Sequence, residues 1–94
     1  MVLRFLWNAN KARENLRKHG VAFREALSVF NDPLGMVHAD EWHSIREERY
    51  SLLGLSNRGR LVSVIFTERH NRSHLISARL ATKRERNEYE QASS

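Results

Sequence analysis

The stretch GRLVSVIFTERHNRSHLISARLATKRERNEYE, residues 59–90, decides how the chain folds, because it passes from two-residue alternation to helical spacing. Across residues 61–69, Val62, Val64 and Phe66 project to one side. Ser63, Thr67 and Arg69 share the other with Leu61 and Ile65, as the period of an extended strand requires. Residues 75–81 repeat the device, with Ile76, Ala78 and Leu80 alternating with Ser77 and Arg79. The polar run His70-Asn71-Arg72-Ser73 between them is too short for a parallel crossover, so the two segments predict an antiparallel hairpin. With their apolar sides buried together, Arg69, Ser77 and Arg79 emerge on the opposite, water-facing surface. Two guanidinium groups on adjacent rigid strands are then expected to converge on a phosphate, whose oxygens match the planar fork. Ordinary solvated arginines are the plainer reading of the same pattern.

Downstream, Thr82-Lys83-Arg84-Glu85 has the spacing of a capping box, which predicts a final helix from Thr82 to about Glu90, with Tyr89 as its apolar anchor and a frayed end at residues 91–94. Upstream, residues 2–7 are short and bulky enough for a first strand at a sheet edge. Asn8 caps a helix over residues 9–19, in which Ala9, Ala12 and Leu16 recur at helical spacing and Gly20 supplies the left-handed stop. A second helix over residues 22–30 presents Phe23, Ala26, Leu27 and Phe30 as one stripe before Asn31-Asp32-Pro33 ends it. Strands are expected within residues 34–40 and 46–55, separated by a loop around Asp40-Glu41-Trp42-His43, and Ser56-Asn57-Arg58-Gly59 turns the chain into the central hairpin. The fold class is therefore α/β of the α+β kind. A mainly antiparallel sheet of about four strands is expected, with the two N-terminal helices covering its apolar face and one C-terminal helix.

The chain has 94 residues, which suits one domain over residues 1–94 with a single modest core. With no cysteine, disulfides, thiolate metal sites and cysteine nucleophiles are excluded. The apolar start is too short for a signal peptide and no later run is long enough to span a bilayer, so a cytoplasmic protein without a membrane partner is expected. A net charge of +5 and a pI near 10.4 imply attraction to a polyanion or to an acidic protein. His38-x-Asp40-x-x-His43 superficially suits zinc, but the spacing matches no strong motif and no metal or other cofactor is expected. Glycine-rich phosphate loops and Gly-x-Ser-x-Gly elbows are absent, which leaves nucleotide hydrolysis and serine hydrolase chemistry without local support.

Several separated motifs, in order, resemble the BrnT family: Phe5-Leu-Trp-Asn-x-x-Lys11, Asn15-Leu-Arg-Lys-His-Gly-Val21, Phe23-x-Glu-Ala26, Val29-Phe30-x-Asp-Pro33, His43, Glu48-Arg49, Gly59-Arg60, Phe66-Thr-Glu-Arg69, Ile76-Ser-Ala-Arg79, Ala81-Thr82, Arg84-Glu85 and Tyr89. The resemblance spans nearly the whole chain, with Asn8 where the family commonly has Asp. It implies a RelE-like fold and a toxin of a bacterial type II toxin-antitoxin pair that cleaves RNA and arrests translation. It also implies a DNA-binding antitoxin, BrnA, through which operator DNA is reached. The antitoxin is expected to cover the Arg69 and Arg79 face, or to shift the final helix.

Cleaving RNA without a metal requires an activated 2′-hydroxyl, a stabilised phosphorane-like transition state and a neutralised 5′-oxygen. Arg69 and Arg79 are the candidates for charge stabilisation, and His19 and Glu48 for proton transfer. His19 equally suits a helix C-terminus, and Glu48 equally suits neutralising Arg46 and Arg49. Arg60 beside the Gly59 turn is a candidate for holding a neighbouring phosphate, Lys11, Lys18, Lys83, Arg84 and Arg86 for tracking an RNA backbone where they are not simply solvated helix faces, and Trp42 for stacking on a base. Trp7 better suits packing after the first strand. The competing function is a basic module that binds nucleic acid or an acidic protein without catalysis.

Overall fold

In the computed structural model, residues 4–40 and 48–93 are described. They form β1 (Arg4–Leu6), α1 (Ala9–His19), α2 (Phe23–Val29), β2 (Met36–Ala39), β3 (Arg49–Leu55), β4 (Leu61–Arg69), β5 (Arg72–Leu80) and α3 (Lys83–Ser93). The sheet has five strands in the order β1-β5-β4-β3-β2. The β2–β3, β3–β4 and β4–β5 pairs are antiparallel, and β1 lies parallel to β5 through Arg4↔Arg72, Phe5↔Ser73 and Leu6↔His74. The sheet is thus mixed and one strand larger than expected. The local signals that predict its helices hold: the Asn8 side chain accepts from the backbone N–H groups of Asn10 and Lys11, and Gly20 ends α1 at φ 68°. At α3 the capping box closes in both directions, Thr82 N–H to Glu85 at 2.9 Å and Glu85 N–H to the Thr82 hydroxyl at 3.2 Å. That helix runs on to Ser93 instead of fraying after Glu90.

The hairpin is tighter than the sequence suggests. Arg69 pairs with Arg72, so only His70 and Asn71 turn the chain, both at positive φ (49° and 63°), the backbone whose twist matches the flanking strands. Within it the register slips once: Ile65 opposes Ser77, but Phe66 opposes Leu75, leaving Ile76 as an extra residue in β5. The bulge corrects the expected alternation. Leu75, and not Ile76, joins Ala78, Val62, Val64 and Phe66 in the core, where Val21, Phe23, Ala26 and Val29 from α2 and its approach cover them.

Helix α1 departs from its expected stripe for a reason of hydrogen bonding. Leu16 is 52% exposed, whereas Asn15 is buried. The pairing of β1 with β5 ends at His74, and beyond it the outer edge of β5 needs partners. The Asn15 amide provides them: its Oδ1 accepts from Ala78 N–H at 3.0 Å, and its Nδ2 donates to the Ala78 carbonyl at 2.8 Å and to the Val21 carbonyl at 2.9 Å. The opposite face of the sheet carries α3, whose Tyr89 packs with Leu53 and Leu61. Asp32 fastens this layer, accepting from Tyr89 Oη at 2.6 Å, Leu55 N–H at 2.8 Å and Leu34 N–H at 2.9 Å. Burial, then the bond to Asp32, pushes the Tyr89 hydroxyl up to about 12.

Replacing Asn15 by Ala strands an N–H and two carbonyls in the interior. The expected result is a loss of about 2–3 kcal/mol of stability in urea unfolding, the scale of unsatisfied buried polar groups.

Candidate functional site

Because paired residues of neighbouring strands share a face, the register assigns every strand side chain to one side. Arg49, Thr67 and His74 form one row across β3, β4 and β5, with Leu6 of β1 at its end. This row is the floor of a cleft of about 440 Å³, walled by Leu6, Trp7, Asn8 and Lys11 on one side and reached by Arg69 at the end of β4. Thr67 is buried at its base, His74 and Arg49 are half-buried, and Lys11 and Arg69 are exposed. Among the described residues, two guanidinium groups, an ammonium and an imidazole line the cleft. The bulge at Ile76 accounts for His74: strict alternation through Ala78 sends residue 74 to the core side, and the extra residue turns it over.

A second depression of about 210 Å³ adjoins the first, sharing Lys11 and Ile76 with it and adding Lys18, His19 and Ser77. Lys11 and Lys18 are seven residues apart, two turns along one side of α1, which the Asn15 bonds hold against the β5 edge. Glu14 stands between them. It pairs with Arg17 and lies 3.7 Å from Lys18, and the Arg17 bond followed by the Lys18 charge lowers its pKa.

The predicted residues therefore divide. Arg69, His19, Lys18 and Lys11 lie along one groove, and Arg49, Thr67 and His74 join them without having been given a role from the sequence. Arg69 and Arg79 do share a face, but they do not converge. Arg79 opposes Ser63 and Arg69 opposes Arg72, so the two lie six residues apart along β4, about 20 Å at the rise of a strand. Arg79 sits instead beside α3, where Nη1 donates to Glu85 Oε1 at 2.6 Å and Nη2 to Oε2 at 3.2 Å. This fork lowers the Glu85 pKa and raises that of Arg79.

Glu48 is turned away from the cleft. It accepts from Tyr50 Oη at 2.6 Å, and Tyr50 stacks on Phe66 on the core side of the sheet. Arg60 is committed to the fold: it pairs with the buried carboxylate of Glu25 and donates to the Gly20 carbonyl at 3.0 Å, joining the β3–β4 turn to both helices. Lys83 is exposed on the first turn of α3, outside the groove. Trp42, like His43, lies outside the described residues. Trp7 meets Phe23 edge-on with ring centroids 6.1 Å apart while remaining 37% exposed, so it packs and lines the cleft together.

The fold and the groove define a small α+β domain whose strand ends and first helix assemble a polycationic, imidazole-bearing cleft suited to a polyanion. A family model described as "Ribonuclease toxin, BrnT, of type II toxin-antitoxin system" matches residues 7–85, and the chain belongs to that family. Among solved structures, the 1.1 Å crystal structure of the Brucella abortus ribonuclease toxin BrnT is similar in fold, with a TM-score of 0.62 and 23% identity over 87% of this chain and 100% of that one. No curated protein sequence matches significantly. No helix among the described residues is long and apolar enough to cross a membrane.

The ion pair at Arg60 carries a signed pH dependence. The bond to Arg60, then that from Ser56, holds Glu25 below its ordinary 4.5 despite its burial. A depressed carboxylate stabilises the fold fully above the unfolded value and loses that contribution as the pH falls through the folded one. Urea midpoints measured downward from pH 5 should therefore fall, and Glu25→Gln should flatten part of that slope while starting from a lower midpoint.

Proposed function

We propose that the chain is a metal-independent endoribonuclease that binds single-stranded RNA along the α1–β5 groove, arrests translation by cutting it, and is restrained by a BrnA-like antitoxin. The observation that carries this reading is the cleft whose described lining brings together Lys11, Arg49, Arg69 and His74. Hard divalent cations are held by oxygen ligands, above all carboxylates, whereas guanidinium and ammonium groups take phosphate oxygens directly. The donor set thus favours stabilising a pentacoordinate phosphorus by fixed positive charge, the largest contribution a preorganised site makes to such a reaction. Arg69, as proposed from the sequence, and Arg49 serve the scissile phosphate. Lys11 and Lys18 follow the neighbouring backbone, and His19 stands at the far end of the same groove.

Arg79 enters this scheme through α3. While Glu85 holds its fork, Arg79 fixes the helix beside the open half of the face, and an antitoxin that either covers the cleft or moves α3 silences the site. The antitoxin is a DNA-binding protein in this reading, and the toxin reaches operator DNA only through it.

Purified protein incubated with single-stranded RNA in excess EDTA should yield new termini. Arg69→Ala should reduce the rate about 10²-fold or more with an unchanged unfolding midpoint, while Arg79→Ala should retain most of it. Salt-dependent binding without new termini, with or without magnesium, would establish the non-catalytic module instead. In the binding assay Lys11→Ala should lower the slope of log K against log salt by about 0.7, the loss of one single-strand phosphate contact. Inducing the chain alone should arrest growth, and inducing it with its antitoxin should not. A fully inhibited complex that leaves the cleft and α3 exposed to solvent in hydrogen exchange would overturn the placement of the antitoxin.

A further inference from the structure

We propose that His74 is the general base of the cleft, a role that rests on the ribonuclease reading and replaces the expected assignment of proton transfer to Glu48. Imidazole is the side chain that exchanges protons in the neutral range, and five histidines are present. Of those described, only His74 lines the cleft that Arg69, Arg49 and Lys11 surround. His38 lies 3.4 Å from Glu88 on the α3 side, and His70 is in the hairpin turn. His19 belongs to the adjoining depression.

Three features place His74 where a base is needed. The bulge at Ile76 turns it onto the cleft face, and bulges beside active sites commonly re-aim one side chain in this way. Its strand partners, Thr67 in β4 and Leu6 in β1, hold it in the middle of the floor instead of at a fraying end. Among the described residues its charged neighbours are Lys11 from α1, Arg49 from β3, Arg69 from β4 and Arg72 two residues earlier in β5, so a phosphate drawn to those cations brings its ribose to the imidazole.

The step conserves atoms and electrons. The neutral imidazole takes the 2′-hydroxyl proton as that oxygen bonds to phosphorus. The P–O5′ bond breaks with its electron pair on O5′, which takes a proton from solvent. The products are a 2′,3′-cyclic phosphate and a 5′-hydroxyl, and His74 returns its proton to solvent.

The test compares the full chain with His74→Asn and His74→Ala on an RNA dinucleotide, with circular dichroism as the folding control. The expected loss in kcat is about 10²-fold to 10⁴-fold with KM changed by less than about threefold, the acidic limb of the kcat/KM profile is removed, and added imidazole restores part of the His74→Ala rate. Retention of a third or more of kcat, or an unchanged acidic limb, would overturn the assignment while leaving the ribonuclease reading intact. The His74 ring signals should also shift when a 2′-deoxy dinucleotide, which lacks the attacking hydroxyl, is titrated in, and His70 should not respond. A wild-type chain that cuts no RNA while His74 responds would overturn catalysis and keep the binding cleft. No response at His74 would overturn its place in the site.

Discussion

The structure depends on how the outer edge of β5 is closed. The β1 strand reaches only three residues along it, and the remaining N–H and carbonyl groups face the side where α1 lies. The Asn15 carboxamide has one acceptor and a two-proton donor, so it can imitate a neighbouring strand at Ala78 and still reach the Val21 carbonyl. That bond set places a helix in the row of the sheet where a strand would otherwise run. The consequence is functional. One flank of α1 seals the core through Ala12, and the other brings Lys11 and Lys18 beside the polar face of the hairpin. A strand in that position would have offered no such rail of lysines over a recessed floor.

What could be read from the sequence was what local chemistry decides. The Asn8 cap, the Gly20 stop, the Thr82 to Glu85 box and the alternation through Val62, Val64 and Phe66 each involve neighbours in the chain, and each held. What could not be read was decided between elements. The bulge at Ile76 adds one residue to one strand, which leaves composition and propensity untouched but reverses the side on which Leu75 and His74 fall. The role of Asn15 could not be read locally because its partner at Ala78 is remote in sequence. The expected meeting of Arg69 and Arg79 failed on distance and not on side: alternation assigns a face, whereas position along the strand is set by the hairpin register, and the two-residue turn puts these arginines at opposite ends of it.

Carboxylate placement explains why the positive charge collects where it does. Glu14 is held by Arg17 and Lys18, Glu25 by Arg60, and Glu85 by Arg79. Each of these pairs answers a local need: a helix flank, a turn joined to two helices, and the first turn of α3. The cleft brings together described residues of five elements, β1, β3, β4, β5 and the first turn of α1, with Lys11, Arg49, Arg69 and His74 among them. The divided face follows from the same arrangement, with α3 fastened over one half by Tyr89, Asp32 and the Arg79 fork, and the other half left to the cleft.

In the proposed reaction, depth distinguishes the floor residues Arg49 and His74 from exposed cations such as Lys83, while Arg69, itself exposed, reaches the cleft from the end of β4. A charge in the recessed floor acts through a medium of lower effective dielectric than one on an outer helix face, and mobile ions screen it less. Arg49 is half-buried above the buried Thr67, whereas Lys83 projects from the first turn of α3 into solvent. At a Debye length of about 8 Å in physiological salt, Lys83 adds little beyond steering. A charge developing on phosphorus during cleavage needs groups that are already oriented and only weakly shielded, since solvent reorganisation at that moment raises the barrier. Sheet register supplies this orientation for Arg49, Thr67 and His74 together, because all three project from hydrogen-bonded positions of adjacent strands. The same bulge that hid His74 from alternation therefore completes a row whose geometry is fixed by backbone pairing, whereas Lys11 and Lys18 project from the flank of α1.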